Sequence, residues 1–599
     1  MSYSVFIHDA KTDRWIWGQD PVEIFEVHQL EAIIPALAAI ERGVEAGLTA
    51  MGYVGYEAAP AFDSALVVQN PHQPAPGTLN ADSLPLLWFG LYRHPQWLTT
   101  AELLQWADGP STDGSVRGSY HLGPWTPTVD RQGFEQAIAD IKAAIARGDT
   151  YQVNYTFRLR TSFQGNAWRL FTDLVQRRSG DYAAWLDLGR YALCSASPEL
   201  FFTLEGDQIA ARPMKGTHSR GLTLATDQAQ AQALYQSPKN RAENLMIVDM
   251  IRNDLGRIAE VGSVAVPKLF ETERYPTLWQ MTSTVTAQTK APWHQIMANL
   301  FPCASITGAP KARTMKLITA LESSPRQIYT GTIGYLSTAR KAQFNVAIRT
   351  VLVDRVAQTA EYGVGSGIVW DSVAAQEYEE CRLKTQVLAS LPPTFSLIET
   401  YRWTPQEGFF LRAYHLTRLM QSAAYFGFSV TSSALEDALD DLAKTLTPHP
   451  HRVKLQVNAQ GQHILGAYPW SLPEATLPRQ VRFAPTPIDT QNPFLYHKTT
   501  CRSVYETAQA AYADCDDVVL WNPAGDVTES CIANVVVPVK DKWLTPPIES
   551  GLLAGTFRAW LIDQGKLEIA PISKGLLAEI GQFYLINALR GWQSAVLKA

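Results

Sequence analysis

The chain has little cysteine, little excess charge and no long apolar run, and each shortage narrows what it can be. Only 6 of its 599 residues are cysteine. None stands in a CxxC pair and, apart from Cys501, Cys515 and Cys531, they lie far apart. That excludes a disulfide scaffold and leaves buried or incidental thiols in a reducing cytoplasm as the expectation. A net charge of -6, with no long block of either sign, provides no basic footprint for nucleic acid. No apolar stretch approaches the roughly 18 residues of a membrane-spanning helix. The opening MSYSVFIHDAKTDRW carries charges early and lacks a basic-then-apolar pattern, so no secretory signal is expected. What is present is 46% hydrophobic and 18% charged residues, the balance of a globular protein. At this length two to four domains are expected.

Two Pro/Gly/Ser-rich stretches, PHQPAPGTLNADSLP (71–85) and DGPSTDGSVRGSYHLGPWTP (108–127), read as surface loops. After the second, Phe134, Ile138, Ile141 and Ile145 recur at helical spacing up to Gly148. Strands and helices then alternate to about residue 388. They include a helix over AENLMIVDMIRNDLGRI (242–258), strands over YTGTIGYLS (329–337) and FNVAIRTVLV (344–353), and a helix over 373–390. The punctuated SLPPTF (390–395) marks a boundary. A new unit begins with a strand, FSLIETYRW, and a helix, AYHLTRLMQSAAYFGF. There is no internal repeat.

Several stretches before that boundary carry polar residues a fold does not need. RPMKGTHSRG places Lys215 in a turn between a strand-like run and a long polar helix, where a lysine is commonly a solvated charge. EYEECRLKTQ puts Glu377 and Glu380 on one helix face with Lys384 a turn beyond. Such a face is either solvated, with a Glu–Lys pair, or a sparse carboxylate site for Mg²⁺ to which Glu243 adds a third ligand. GVGSGIVWD, with Gly365, Ser366 and Gly367, reads as a glycine-rich turn whose N–H groups can approach an anion, although no dinucleotide fingerprint is matched. TGAPKARTM is a second small-residue turn, with Lys311 and Arg313 entering a helix. Arg349 lies in an otherwise apolar strand, either paired structurally or held for an anionic ligand.

Taken in order, QVNYTFRL, SPELFF, PMKGT, ENLMIVDMIRNDLG, TGAPK, AIRT, GSGIV and ExxExxxK resemble the chorismate-utilising enzymes. The resemblance is strong over about 130–390 and loose before it, where GYVGYEAAPAFD (52–63) is the clearest piece. It implies an α+β core of stacked antiparallel sheets with surrounding helices. It also implies Glu243 and Glu380 as Mg²⁺ ligands with Glu377 nearby, and Arg349 and Lys384 as contacts to chorismate's carboxylates. Gly365, Ser366 and Gly367 would add donors, and Gln152, Thr217, Thr307, Gly308 and Tyr329 are further implied substrate positions.

Two positions discriminate within that family. Gln152 stands where water-using relatives carry a base lysine; a glutamine takes up no proton at neutral pH, which favours ammonia. Lys215 stands where anthranilate-forming relatives resemble PIAGT and many aminodeoxychorismate-forming ones PIKGT. A desolvated lysine can act as a covalent nucleophile. The resemblance thus implies attack by Lys215 at C2 of chorismate as the C4 hydroxyl leaves, then entry of ammonia at C4. In one departure, Gln280 in LWQMTSTV stands where several relatives have histidine, which leaves Lys215 or Glu243 to move protons.

The remaining two hundred residues carry another set. HLTRL places Arg418 on a helix, HKTTCRSVY places Lys498 between a strand and a helix, and GDVTESCIANVVV places Glu529 in a turn entering a strand. LLAGTFRAWL, with Thr556 and Phe557, is a turn at a helix N-terminus, where phosphate binds readily. Each piece alone fits a structural role. In this order they resemble the class IV aminotransferases, which implies a two-lobed α/β domain of the pyridoxal phosphate (PLP) fold type IV. Lys498 would then hold the cofactor and shuttle protons, Glu529 would pair with the ring nitrogen, and Arg418, Thr556 and Phe557 would bind the phosphate. Asn587 in LINALRG matches a position near the phosphate, but Ala588 follows where some relatives have a hydroxyl residue.

The expected organisation is therefore an N-terminal part (1–125), a chorismate-binding core (126–390), a linker (391–397) and a PLP-dependent domain (398–599). The expected chemistry is amination of chorismate followed by elimination of pyruvate to give 4-aminobenzoate, upstream of folate. A C-terminal transaminase or a silent docking module remains the alternative. No cysteine sits in the GxCxG elbow of a class I glutaminase, so a separate glutamine amidotransferase subunit is expected to supply ammonia. Neither nucleic acid nor membrane is an expected partner.

Overall fold

The computed structural model describes residues 3–69, 84–106, 118–177, 180–388, 393–471 and 477–598. Most of the two expected surface loops, and residues 391 and 392 of the expected linker, lie outside these. The chain divides into two compact units, residues 1–219 with 231–392 and residues 220–230 with 393–599.

The first unit is built on two large antiparallel sheets. One runs through Gly308–Ala309, Gln152–Gly165, Thr359–Ile368, Thr350–Asp354, Tyr191–Ser197, Tyr182–Leu188, Ser4–Asp9, Arg14–Gln19 and Gln96–Leu98. The other runs through Met214–Ser219, Leu278–Gln288, Gln208–Arg212, Leu200–Glu205, Lys341–Asn345, Thr332–Ser337, Thr49–Val54, Leu87–Tyr92 and Glu23–Val27. Strands from the first 125 residues enter both sheets, so that segment is woven into the unit rather than set beside it. Ser4–Asp9, Thr49–Val54 and Leu87–Tyr92 are buried at every position. Burial on both faces removes the alternation of a half-solvated strand. Val5 and Ile7 of one sheet pack with Met51, Tyr53, Ile333 and Tyr335 of the other, so the sheets stack face to face. The outer faces are covered by helices, among them Arg131–Ala146 and Ala167–Gln176 on one side and Ile33–Glu45, Pro238–Gly256 and Trp293–Leu300 on the other.

A buried ion cluster braces this core. Glu322 lies 3.1 Å from Arg158 and 2.7 Å from Arg326, with all three side chains nearly inaccessible. Buried charges persist only when paired and hydrogen-bonded. Arg326 also donates to the carbonyls of Asn154 at 2.8 Å and Ile306 at 2.9 Å. Both of those residues line the cavity described below.

The second unit holds a four-stranded antiparallel sheet and an eight-stranded mixed sheet. Strand Leu397–Thr404 alternates buried and half-buried positions. Its buried Leu397, Tyr401 and Trp403 pack on helices Arg412–Phe426 and Ser432–Thr445. The larger sheet contains Asp517–Trp521, Val527–Ser530 and Asn534–Val539 and carries the core of Val519, Val527, Val535, Val537 and Leu585.

Candidate active sites

The first unit encloses a cavity of about 330 Å³ lined by Lys215, Thr217, Glu199, Glu243, Tyr329, Arg349, Gly365, Ser366, Gly367, Glu377, Glu380 and Lys384, among others. Helix, strand and loop residues far apart in sequence meet here.

Lys215 is carried by strand Met214–Ser219, not by a turn. The pairing with Leu278–Gln288 slips between Met214 and Thr217, which makes a β-bulge at Lys215–Gly216. A bulge re-aims a side chain. Gly216 adopts φ 93°, and a Cβ there would lie 2.9 Å from Asn240. Gln280 donates to the Gly216 carbonyl at 2.9 Å and so holds the bulge in place. Lys215 is half-exposed by surface area yet crowded by protein. Burial lowers its pKa, against the opposing pull of Glu243 and Glu199.

Gly365–Gly367 lies inside strand Thr359–Ile368, paired with Asn154–Thr156, and is not a turn. The glycines are there for space. A Cβ on Gly363 would meet the Tyr329 ring at 2.1 Å, and one on Gly367 would meet Lys215 Nζ at 2.5 Å and Gln152 Nε2 at 3.1 Å. Gln152 therefore adjoins Lys215. Both polar atoms of its side chain are buried and neither has a hydrogen-bond partner. Such atoms are costly unless a ligand satisfies them.

Arg349 departs from the expected strand. It sits at φ 50°, just before strand Thr350–Asp354, a left-handed conformation uncommon for a side-chain-bearing residue. Its guanidinium lies 5.7 Å from the Tyr275 ring centroid and burial lowers its pKa. Thr307 and Gly308 do not line the cavity: the Thr307 hydroxyl hydrogen-bonds to the Cys303 and Ala304 carbonyls, and Gly308 pairs with Val153. Lys311 and Arg313 are ion-paired to Asp254 and Asp149.

The three expected metal carboxylates all face the cavity. Helix Pro238–Gly256 begins earlier than expected, so Glu243 sits in its second turn rather than opening it. Glu380 is 2.7 Å from Lys384, which lowers its pKa, and Lys384 also donates to the Gly365 carbonyl at 2.9 Å. Glu377 accepts a hydrogen bond from Ser366. Burial, with the carboxylates of Glu377 and Glu380, raises the pKa of Glu243. Among the described residues no group of three acidic, histidine or cysteine side chains is close enough to hold a metal by itself. The three glutamates thus do not close into a cage, because Lys384 and Ser366 engage two of them. Mg²⁺ commonly takes one or two carboxylates, with water and substrate completing its shell, and the donor set fits that mode.

Glu199, within the quoted SPELFF, was not singled out from the sequence. It is buried against the cavity, accepts from the Ser305 hydroxyl at 2.6 Å, and burial raises its pKa to about 7. A charged residue between Pro198 and the apolar Leu200–Phe202 was the available signal.

In the second unit Lys498 follows a short turn of 3₁₀ helix, Pro493–Leu495, rather than a strand, and Glu529 lies within strand Val527–Ser530. Burial, with Arg418 nearby, lowers Lys498 to about 8. Glu529 is buried and raised to about 7; it accepts from Tyr505 at 2.8 Å and the Leu553 N–H at 3.1 Å. Arg418 donates to the Ala554 carbonyl at 3.1 Å. Both residues thus converge on the turn before helix Thr556–Asp563, where a Cβ on Gly555 would lie 1.9 Å from Asn534. An amine, a buried carboxylate and a glycine-opened helix N-terminus beside an arginine fit PLP.

Glu399 and His415 complete this network and were missed. His415 Nδ1 donates to Glu399 at 2.7 Å, leaving Nε2 to accept from the Thr556 hydroxyl at 3.2 Å. Arg418 grips Glu399 through two bonds of 2.9 and 2.6 Å. Burial alone would raise Glu399, but Arg418 and His415 hold it at about 2. The signal was a glutamate on the inward face of an alternating strand, between Leu397 and Tyr401. Phe557 is buried and stacks on Trp560, and Asn587 Oδ1 accepts from the Leu589 and Arg590 N–H groups.

Residues 3–390 match the family model for chorismate binding enzymes, and residues 396–596 match that for class IV amino-transferases. The chain belongs to the chorismate binding enzyme family and continues into a class IV aminotransferase region. Among proteins it resembles, aminodeoxychorismate synthase component 1 of Klebsiella aerogenes is 41% identical over 263 residues, 43% of this chain and 57% of that protein. The protein of the same name from Escherichia coli K12 is 38% identical over 258 residues, 43% of this chain and 56% of its own length. The chain thus spans little more than half of these relatives. Anthranilate synthase component I from Streptococcus pneumoniae TIGR4 shares the fold, with a TM-score of 0.50 and 23% identity over 64% of this chain and 92% of that one. No helix among the described residues is long and apolar enough to cross a membrane.

Proposed function

We propose that this chain aminates chorismate to 4-amino-4-deoxychorismate at its first site and releases pyruvate from that product at its second, leaving 4-aminobenzoate. The observation that carries the reading is Lys215, aimed by a β-bulge into a carboxylate-bearing cavity beside the unpartnered amide of Gln152. In the first step Lys215 Nζ forms a bond to C2, both ring double bonds shift along the ring and the C4 hydroxyl departs. Glu199, near half-protonated at neutral pH, gives that hydroxyl its proton so that it leaves as water. Ammonia then bonds to C4 and the C2–N bond to Lys215 breaks, which returns the free lysine. The Gln152 amide offers an acceptor to ammonia and cannot deprotonate water, which supports nitrogen over oxygen as the entering atom. Arg349 and Lys384 supply cationic contacts for substrate carboxylates. Glu243, Glu377 and Glu380 would hold Mg²⁺, which supplies charge neutralisation at a carboxylate.

At the second site PLP, when bound, supplies an electron sink. Lys498 would hold it, Glu529 would face its ring nitrogen, and Arg418 with the Thr556 and Phe557 N–H groups would take its phosphate. Lys498 Nζ, at a pKa of about 8, can then remove the proton at the aminated ring carbon and deliver it to the departing enolpyruvyl group. The relatives' designation as component 1 supports a separate glutaminase as the ammonia source. The cytoplasm, where chorismate and glutamine are at hand, is the proposed compartment.

One incubation tests both steps: full-length chain, chorismate, Mg²⁺, ammonium and PLP, assayed for 4-aminobenzoate and pyruvate. Both should appear in equal amounts. Anthranilate as the product would overturn the first assignment, and amino-group transfer from an amino acid to 2-oxoglutarate in place of pyruvate release would overturn the second.

A further inference from the structure

Residues 220–230 interrupt the first unit in sequence but belong to the second. They form a self-fastened strap. Arg220 makes two bonds to Asp227, Nε to Oδ1 at 2.7 Å and Nη2 to Oδ2 at 2.8 Å, and the Gly221 N–H donates to the same carboxylate at 2.9 Å. Gly221 has no room for a side chain, since a Cβ would lie 2.2 Å from the Asp227 nitrogen. The Thr223 and Thr226 hydroxyls cap the turn that follows, each accepting from the other residue's N–H.

Outside itself the strap reaches Tyr425 and the residues around His497. Arg220 donates to the Tyr425 carbonyl at 2.9 Å and lies 4.6 Å over its ring. Leu222 packs on the cluster of Leu495, Tyr496 and Tyr505. Its carbonyl is 3.1 Å from His497 Nε2. A carbonyl only accepts, so Nε2 carries the proton and Nδ1 accepts from the Ser422 hydroxyl at 2.9 Å. The imidazole is stacked on Tyr425, with centroids 4.3 Å apart. Strap, Ser422 and Tyr425 thereby fix one neutral tautomer of a buried histidine, whose pKa burial holds at about 4. The next residue is Lys498, whose own carbonyl accepts from the Ile398 N–H at 3.0 Å.

We propose that residues 220–230 are a positioning element of the C-terminal reaction centre, setting His497 through the Leu222 carbonyl and thereby the backbone that presents Lys498. The inference rests on the reading of Lys498 as the PLP-binding lysine. It makes the second site dependent on a segment that starts five residues beyond Lys215 in the first unit's sequence. The Arg220 side chain and the Leu222 carbonyl reach the walls around His497, and the Asp227 carboxylate holds Arg220 and Gly221.

Two measurements on the full-length protein test this. In the wild type, loading with PLP should slow hydrogen exchange at the Gly221, Thr223 and Asp227 amides as well as around residue 498. In Asp227→Ala, which frees Arg220 and Gly221, PLP should bind about tenfold more weakly. The pH at which the absorbance of bound PLP changes should also move, because Lys498 would sit differently among Arg418, Glu399, Arg502 and Glu529, and His497 would lose the flanking charge of Asp227. Asp227→Glu, which keeps the carboxylate, should recover part of both effects. Ammonium-dependent consumption of chorismate should stay within about twofold, a change too small to mark loss of fold. Unchanged PLP affinity and pH response in Asp227→Ala, or strap amides indifferent to PLP in the wild type, would overturn the positioning role. A wild type that takes up no PLP would remove the Lys498 assignment itself, and the strap's role with it.

Discussion

Both units centre on a crowded lysine, and the two are prepared in different ways. Lys215 sits on a bulged strand in a cavity whose surroundings are only partly satisfied: Gln152, buried beside Lys215, has no partner, and Glu243 is raised by neighbouring carboxylates as well as by burial. Around Lys498 the wiring is closed. Arg418, Glu399, His415 and Thr556 bond to one another in series, and Glu529 is held by Tyr505 and Leu553. On the proposed reading the first site would be completed by what binds in it, a small substrate carrying two carboxylates, and the second would be a cradle set in advance for a resident cofactor. Preorganisation lowers the cost of binding, whereas unsatisfied groups spend their interaction only when the ligand arrives.

The sharpest way to break the comparison is to remove each lysine in turn. Lys215→Ala should cost about 10³-fold or more in chorismate amination and leave PLP absorbance intact. Lys498→Ala should abolish pyruvate release and let 4-amino-4-deoxychorismate accumulate. Loss of chorismate amination in Lys498→Ala, or of pyruvate release from directly supplied 4-amino-4-deoxychorismate in Lys215→Ala, would show that the two centres are not separable. Next in size is Glu199→Gln, which keeps a partner for Ser305 but cannot give a proton. Amination should fall about 10²-fold in kcat with KM little changed. In the wild type the acid form of Glu199 is lost as pH rises through about 7, so kcat should fall on that limb. The variant should lack the limb; persistence of it would assign the acid elsewhere.

How much of this could be read from the sequence depended on whether a residue's environment is local. The ordered motifs placed Lys215, Glu243, Glu377, Glu380 and Lys384 in one cavity because the family pattern carries tertiary information that spacing does not. Local geometry was less legible. Gly365–Gly367 and Lys215 both read as turns, since glycine and proline punctuate loops far more often than they make room inside a sheet. The glycines were admitted by Tyr329 and Lys215, which press on the strand from distant segments. Arg349 read as strand because its neighbours are apolar, whereas the chain turns left-handed there. Glu399 and Glu199 escaped because a lone glutamate carries no pattern of its own; only the partners reveal that it is buried.

Gly367→Ala probes that lack of room. The new methyl would meet the far end of Lys215, which is flexible, so the strand should survive while the amine is displaced. Amination should fall about tenfold, with thermal unfolding shifted by less than about 2 °C. Loss of the fold instead would mean that the glycine serves the sheet and not the lysine.

The smallest effect at neutral pH, and the one most specific to the closed cradle, is acid lability of the second unit. Glu399 has a folded pKa near 2 against an ordinary 4.5, so its stabilisation is complete above 4.5 and is lost as pH falls toward 2. His415, held below 6.5 by burial, acts in the same direction from pH 6.5 downward, because protonating it favours the unfolded chain. Glu399 alone should cost the second unit roughly 2 kcal/mol between neutrality and pH 3, and His415 adds to that loss. The protection factors of the amides in strand Leu397–Thr404, which divide out the intrinsic pH dependence of exchange, should therefore fall on acidification. Glu399→Gln, which cannot titrate, should flatten that response while lowering stability at pH 7, because Arg418 loses its charged partner. If the protection factors of strand Leu397–Thr404 in the wild type are the same at pH 7 and pH 3, the network is not what secures Arg418 and Thr556, and the contrast between a closed second site and an open first one fails.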